Sequence, residues 1–154
     1  MNKSVPPFEV DKAHKWFAIE FNNGTWDALE KQDRTAEETN SMVHLAHAST
    51  YHWSQIGTDV EYQRGLCLVA QVHAAAGDGQ TAVRHAELCL SILEHQSDKF
   101  QDWDEAFSLD ALARAHAATG NSEAAASAKQ QAEAAGNEIA GEDDKQFFFD
   151  WFNK

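Results

Sequence analysis

Two segments of this 154-residue chain repeat one another, and this repeat limits its possible folds more than any other feature. Residues 66–82 read LCLVAQVHAAAGDGQTA, and residues 109–125, at an offset of 43, read LDALARAHAATGNSEAA. The two segments are identical at seven of seventeen positions and share the order of large apolar residue, small residue, histidine and glycine turn. A period of about 20–50 residues is typical of a stacked array, in which each unit buries its apolar face against the next.

The composition of the chain favours helices. Alanine supplies 26 residues, against four isoleucines and seven valines, and both prolines lie near the N-terminus at Pro6 and Pro7. Alanine loses no side-chain entropy in a helix, whereas β-branched residues do, and no later proline interrupts the pattern. Apolar residues recur at helical spacing nearly throughout, so we predict an all-α chain without strands.

Helix-start and helix-stop residues divide this pattern into about seven helices. The first follows Pro7, and Asn22-Asn23-Gly24 is expected either to end it or to weaken it. Gly57 is expected to end the second helix in the left-handed conformation. Three residue pairs have the spacing of a capping box, in which each side chain bonds the other residue's backbone N–H: Thr35–Glu38, Thr58–Glu61 and Asp102–Glu105. Later helices are predicted to end near Gly77, Gln96, Gly120, and Gly136 or Gly141.

The end of the chain predicts a capping helix. The acidic run Glu142-Asp143-Asp144 suits the positive N-terminal end of a helix, and five large aromatic residues follow within residues 147–152. The last unit of a stacked array has an open apolar face that must be covered. We therefore expect residues 142–154 to fold back on the helix of residues 123–140 or on its hairpin partner, within one domain of residues 1–154.

At the repeated positions the chain resembles the tetratricopeptide repeat family. The matching residues are Leu66, Val69-Ala70, His73, Gly77-Asp78 and Ala82, then Leu109, Leu112-Ala113, His116, Gly120-Asn121 and Ala125. The period of 43 exceeds that family's usual value of about 34, and histidine replaces the usual aromatic residue in both copies. The resemblance covers residues 61–136. With Ala46–Trp53 included, the chain also resembles small bacterial proteins of this helical type, to which no activity is assigned.

This resemblance implies a fold and a binding groove. The fold is a stack of antiparallel helical hairpins, and the N-terminal helix pair around Trp16 and Trp53 would be its third unit. In tetratricopeptide arrays the first helix of each hairpin lines the concave face. Transferring those positions gives Arg64, Cys67 and Gln71 in one unit and Phe107, Asp110 and Arg114 in the next.

The two arginines of this groove stand out in an acidic chain. Guanidinium groups suit a peptide carboxylate, although pairing with local acids such as Glu61 or Asp110 is an equal alternative for Arg64 and Arg114. From the resemblance we expect a non-enzymatic module that binds a protein or peptide.

Charge and cysteine content narrow the partners and the compartment. A formal charge of −13 opposes binding to nucleic-acid phosphates and to anionic membranes, so neither partner is expected. Cys67 and Cys89 lack the spacing of a metal or redox motif. The start of the chain lacks the apolar stretch of a signal peptide, and no run reaches membrane-spanning length. We expect a cytoplasmic protein.

Eight histidines suggest a metal-binding alternative. His44, His47 and His52 would lie on one helix, three and five residues apart, so two imidazoles could share an ion. No carboxylate accompanies them at a matched spacing, and no nucleophile, phosphate-loop or dinucleotide motif is present. We therefore expect no cofactor, no bound metal and no catalytic residue. His73 and His116 are expected to pack between hairpins.

Two alternatives to the peptide-binding module stay open. The first is a small metal-binding protein or enzyme that uses the helix of His44, His47 and His52. The second is a homodimer without another ligand, whose interface is formed by the aromatic residues of the tail.

Overall fold

The computed structural model describes residues 5–154, so residues 1–4 of the predicted domain lie outside it. Within the described part the chain forms seven α-helices, one 3₁₀ turn and no strand. The helices are α1 (Val10–Glu30), α2 (Ala36–Ile56), α3 (Asp59–Ala75), α4 (Gly79–His95), α5 (Asp102–Ala118), α6 (Ser122–Asn137) and α7 (Glu142–Phe152), and the 3₁₀ turn is Ser97–Lys99. The all-α prediction and the predicted number of helices are confirmed.

Consecutive helices pack as the three hairpins α1–α2, α3–α4 and α5–α6, and neighbouring hairpins stack on one another. Helix α3 contacts α2, α4 and α5, and it also touches α1. Residues of α3 that contact residues of α5 are separated from them by about forty positions in the sequence. Because this separation stays nearly constant along both helices, the two helices run parallel. The predicted stack of helical hairpins is confirmed.

The repeated turns have the same geometry. Gly77 ends α3 with a positive φ of 81°, and the backbone N–H of Asp78 donates to the carbonyl of His73 at 2.9 Å. Residues 116–121 repeat this arrangement after α5, with a φ of 79° at Gly120. These are Schellman caps, which need a residue that tolerates the left-handed conformation, as glycine does. The repeated Gly-Asp and Gly-Asn pairs therefore encode the same helix end and the start of the next helix.

Two of the three predicted capping boxes are present. The backbone N–H of Thr35 donates to Glu38 Oε2 at 2.8 Å, and that of Thr58 donates to Glu61 Oε2 at the same distance. At α5 the prediction is wrong by one residue. The cap is Gln101, whose backbone N–H donates to Asp104 Oδ2 at 2.9 Å, whereas the Asp102 carboxylate accepts a hydrogen bond from the distant Ala140 backbone N–H instead.

Of the two alternatives at Asn22-Asn23-Gly24, the structure shows the one in which the helix does not end, and the left-handed conformation predicted at Gly57 is wrong. Helix α1 continues through Asn22-Asn23-Gly24 to Glu30, since packing against α2 outweighs the weak local helix propensity. Gly57 does follow α2, but with an extended backbone at φ −85° and ψ −178°, and Thr58 caps the next helix immediately.

Small residues let the second helices approach the core. Ala82, Ala86 and Cys89 of α4 are fully buried, as is Ala132 of α6. The main core lies between these residues, the inward sides of α3 and α5, and α7. Ala125, the repeat equivalent of Ala82, is only half-buried, because no further hairpin stacks beyond α6.

The first hairpin is not centred on Trp16 as expected. Met42 and Ala46 of α2 pack with Leu68, Val69 and Val72 of α3 in a second core cluster. Trp16, which was expected to centre this unit, is 57% exposed, so that expectation is wrong. Because tryptophan occurs both in cores and on surfaces, its presence alone did not locate the buried face.

The aromatic tail folds back as predicted. Phe148, Trp151 and Phe152 are buried, and α7 packs on both α5 and α6. The helix also reaches α1, where the Trp151 ring meets Trp26 edge-on with centroids 5.0 Å apart. Phe147 alone among the five tail aromatics is largely exposed, at 64%.

Candidate functional site

The first helices of the three hairpins, α1, α3 and α5, form one side of the molecule, which we call the inner face. Each contacts the next along the array, and α7 lies across them. The residues predicted to line a groove all lie on α3 and α5 of this face, and the structure brings them together along one seam.

Arg64 and Asp104 form the first contact of this seam. The Arg64 Nε and Nη2 groups donate to the two Asp104 carboxylate oxygens at 2.7 and 2.8 Å, and the guanidinium lies 4.2 Å above the Trp103 ring centroid. The Asp104 side chain is 1% exposed, whereas 37% of the Arg64 side chain remains accessible. This paired geometry fixes the arginine and neutralises most of its charge.

Asp110 is the centre of the second contact. Its Oδ2 atom accepts hydrogen bonds from Gln71 Nε2 at 3.1 Å, from Arg114 Nε at 2.8 Å and from Trp151 Nε1 at 2.9 Å. Arg114 also donates to the Trp151 carbonyl at 3.1 Å. Three helices therefore meet at one buried carboxylate, and these predicted groove residues hold α7 in place. For Arg114 the structure shows the second alternative, because this arginine pairs with the local acid Asp110.

An open pocket of about 300 Å³ lies beside this seam, where α1, α3 and α5 face the start of α7. Most of its wall surface is apolar, although six of its twelve lining residues are polar, among them the Arg64–Asp104 pair. The lining residues are Asn22, Trp26, Gln63, Arg64, Cys67, Leu68, Trp103, Asp104, Phe107, Ser108, Asp144 and Phe147. A concave site of this volume and composition is suited to bind an apolar side chain.

The surroundings of this pocket are acidic. Asp144 lines it, and Glu142 and Asp143 are exposed beside it in the first turn of α7. Arg64 is the basic residue of the lining, and its charge is already paired with Asp104. The pocket therefore favours a ligand with positive rather than negative charge around its apolar part.

The cysteine of the pocket is not arranged as a nucleophile. Cys67 is buried, and its thiol donates to the Phe107 carbonyl at 3.5 Å. A hydrogen bond to Cys89, burial and the nearby carboxylates of Asp110 and Asp104 raise the pKa of the Cys67 thiol well above its usual value. Since the thiolate is the reactive form, this thiol is inert at neutral pH.

The histidines of α2 do not gather into one site. His52 lies against His14 of α1, with their Nδ1 atoms 2.8 Å apart, whereas His47 meets His73 of α3. His44 is exposed on the same helix. His73 does pack between two hairpins, because its neighbours are His47 on α2 and His85 on α4.

Sequence reasoning missed several residues of the pocket. Asp104 lies one turn before Phe107 on the same side of α5, so extending the predicted groove by one helical turn would have found it. Trp26 and Phe147 come from α1 and α7, and no local pattern relates them to α3 or α5.

Comparison of the chain with known protein families, with curated proteins and with solved structures found no match. Among the helices of residues 5–154, none has the length and hydrophobicity needed to cross a membrane.

Proposed function

We propose that this protein is a non-enzymatic, tetratricopeptide-like module that binds a segment of another protein on its inner face. The observation that carries the proposal is the open pocket between α1, α3, α5 and α7, with Trp26, Trp103 and Phe107 in its walls and Phe147 exposed in its lining. Pockets that accept one apolar or aromatic anchor dominate the energetics of many peptide complexes. The parallel first helices of stacked hairpins support the family likeness.

The negative charge around the pocket indicates the charge that a ligand should carry. The start of α7 presents Glu142, Asp143 and Asp144, and the whole chain carries a formal charge of −13. We infer a ligand with one large apolar side chain flanked by lysine or arginine, since opposite charges speed encounter and disfavour wrong partners. The same charge disfavours nucleic acid and anionic membranes as partners.

A ligand carboxylate is a poorer fit than sequence reasoning suggested. Arg64 and Arg114, the two arginines expected to bind it, are each held by a buried aspartate of α5. A carboxylate would have to displace an aspartate that the fold has already desolvated and paired, which is costly.

We also propose that the protein is cytoplasmic. Cys67 and Cys89 are both free and buried, as is common in proteins of a reducing compartment.

The test is selection of peptide ligands from a random displayed library on the full chain. Enriched peptides should share one large apolar residue with basic neighbours, and binding should change the fluorescence of Trp26 and Trp103. Phe147→Gln removes an aromatic group from the pocket lining without changing its charge and should weaken binding at least tenfold, a loss of about 1.4 kcal/mol. Isothermal titration of synthetic peptides measures this.

The matched control is Leu88→Gln, which makes the same kind of change at another exposed apolar residue, 45% accessible, on α4 and away from the pocket. It should leave peptide affinity unchanged. Peptides without a shared apolar anchor, or equal weakening by both variants, would refute binding at the pocket.

A homodimer is the second candidate. The exposed aromatic residues that could form its interface lie on and before the first hairpin, more than on the tail. Only Phe147 of the tail is largely exposed. By contrast, Phe8 before α1, Trp16 on α1 and Tyr51 on α2 are 60%, 57% and 59% exposed. Exposed aromatic groups of this kind favour association. Sedimentation of the full chain and of Trp16→Glu tests it: a dimer that this variant dissociates supports the second candidate, and a monomer at all concentrations removes it.

A further inference from the structure

Three histidines from three different helices lie together away from the pocket. They are His47 of α2, His73 in the last turn of α3 and His85 of α4. Their ring centroids are 5.2 Å apart for His47–His73 and 5.9 Å apart for each of the other two pairs. None of the three lines the pocket of the inner face.

The nitrogen atoms of two of these rings face each other. The Nε2 atoms of His47 and His73 are 2.9 Å apart. Two nitrogens that share a tetrahedral ion at bond lengths of about 2.0–2.1 Å lie about 3.3–3.4 Å apart, so the ion would fit after a small opening of the pair. Imidazoles bound to one such ion have ring centroids about 5 Å apart, which matches the His47–His73 pair. The two pairs that include His85 are wider, at 5.9 Å, and the His85 ring lies nearly parallel to that of His73, so His85 must turn to join them.

The other ring nitrogens set the tautomers that ligation requires. His73 Nδ1 lies 3.2 Å from Asp78 Oδ2, and His85 Nδ1 lies 2.9 Å from the Thr81 carbonyl. Both partners are acceptors, so each Nδ1 carries the proton and each Nε2 keeps its lone pair. A carboxylate that holds the outer nitrogen of a ligating histidine is a recurrent feature of metal sites.

From this arrangement we infer that His47, His73 and His85 bind one divalent transition-metal ion, of the zinc class, between the first and second hairpins. His47 and His73 are already paired, and His85 completes the set after a shift of its ring. Among the described residues no three ligands converge on a single point in the structure as it stands. The site differs from the one considered from sequence, because two of its ligands come from α3 and α4 instead of from α2.

The experiment uses the full chain without an affinity tag, first treated with a chelator and then titrated with zinc chloride against a chromophoric competitor. We expect one zinc ion per chain and a melting temperature that rises with zinc until the site is saturated. Cobalt substitution should give the visible absorption of a tetrahedral or five-coordinate nitrogen site.

Two variants test the assigned residues. His73→Ala should weaken zinc binding at least 100-fold. Asp78→Asn should weaken it about 10–100-fold, the usual effect of losing such a partner. Asparagine caps helices as well as aspartate does, so this variant keeps the start of α4 and separates ligation from folding. Circular dichroism of each variant verifies its fold.

The chain offers a matched control in its other histidine pair. His14 and His52 are 2.8 Å apart, but neither ring has a carboxylate partner within residues 5–154. His52→Ala should leave zinc binding unchanged. If zinc does not bind, or if His52→Ala weakens it as much as His73→Ala, the inference is overturned and the His47–His73 contact is only a hydrogen bond.

Discussion

At the residue scale, two glycines in helices have opposite roles. A Cβ atom at Gly136 of α6 would lie 2.3 Å from the Phe148 ring, whereas at Gly24 of α1 its nearest neighbour would be Leu45 Cδ1 at 3.6 Å. Gly136→Ala should lower the free energy of unfolding by about 1–3 kcal/mol, because the ring cannot retreat from a filled core. Gly24→Ala should raise it by about 0.5–1 kcal/mol, since alanine favours the helix. Urea denaturation of both variants measures this, and a gain in stability for Gly136→Ala would contradict the packing of α7.

The side of a helix on which a residue lies could be predicted from the sequence, but its partner on the neighbouring helix could not. The resemblance to the tetratricopeptide repeat assigned Arg64, Gln71, Asp110 and Arg114 to one side of each helix, and the structure places them on the seam between α3 and α5. That Arg64 pairs with Asp104 depends on the relative shift of two parallel helices. This shift is set by side-chain packing along the whole contact, which no local pattern contains.

At the element scale, local sequence signals predicted the presence of the helices but only some of the positions at which they begin and end. The caps at Thr35 and Thr58 and the turns at Gly77 and Gly120 could be predicted because their bonds join residues within one turn. The start of α5 could not, because Asp102 instead accepts a hydrogen bond from the distant Ala140 backbone at 2.8 Å.

Helix α7 should act as a cap that the array needs. A chain truncated after Gly141 loses three buried aromatic residues, Phe148, Trp151 and Phe152, each worth about 1.5–3 kcal/mol of burial. It also leaves Asp110 without its Trp151 donor. We expect a lower melting temperature and stronger binding of an apolar dye. Phe147→Ala, which removes the exposed tail aromatic, is the control and should change both little. Equal stability of the truncated and full chains would show that α7 is not a cap.

At the scale of the whole molecule, the way the two ends of the array meet was not predictable. Sequence reasoning placed the tail on α6 or α5, which is correct. It did not foresee that Trp151 would also reach Trp26, or that Lys154 would pair with Glu30 at 2.9 Å. Those contacts join residues more than a hundred positions apart, and they exist only because three hairpins stack with one particular curvature.

The whole-molecule stability should fall in mild acid. Burial, reinforced by neighbouring histidines, lowers the pKa of His47 and His52 below the ordinary value of 6.5, and burial outweighs the nearby Asp78 to lower that of His73 as well. The unfolded chain therefore binds more protons than the folded chain just below pH 6.5, so stability is full above that pH and declines as the pH falls towards the lowered values.

Hydrogen bonds lower the pKa of Glu38, Glu61 and Asp78, so a second loss of stability belongs to a separate window below about pH 4.5. Melting temperatures measured in the presence of a chelator from pH 7.5 to 5 should resolve the first window alone. The double variant His47→Gln/His73→Gln should reduce the loss in this window to the part that His52 contributes, whereas His95→Gln, on an exposed ring, should leave it unchanged. A decline that begins only below pH 4.5 would mean that the histidine contacts between hairpins do not oppose protonation.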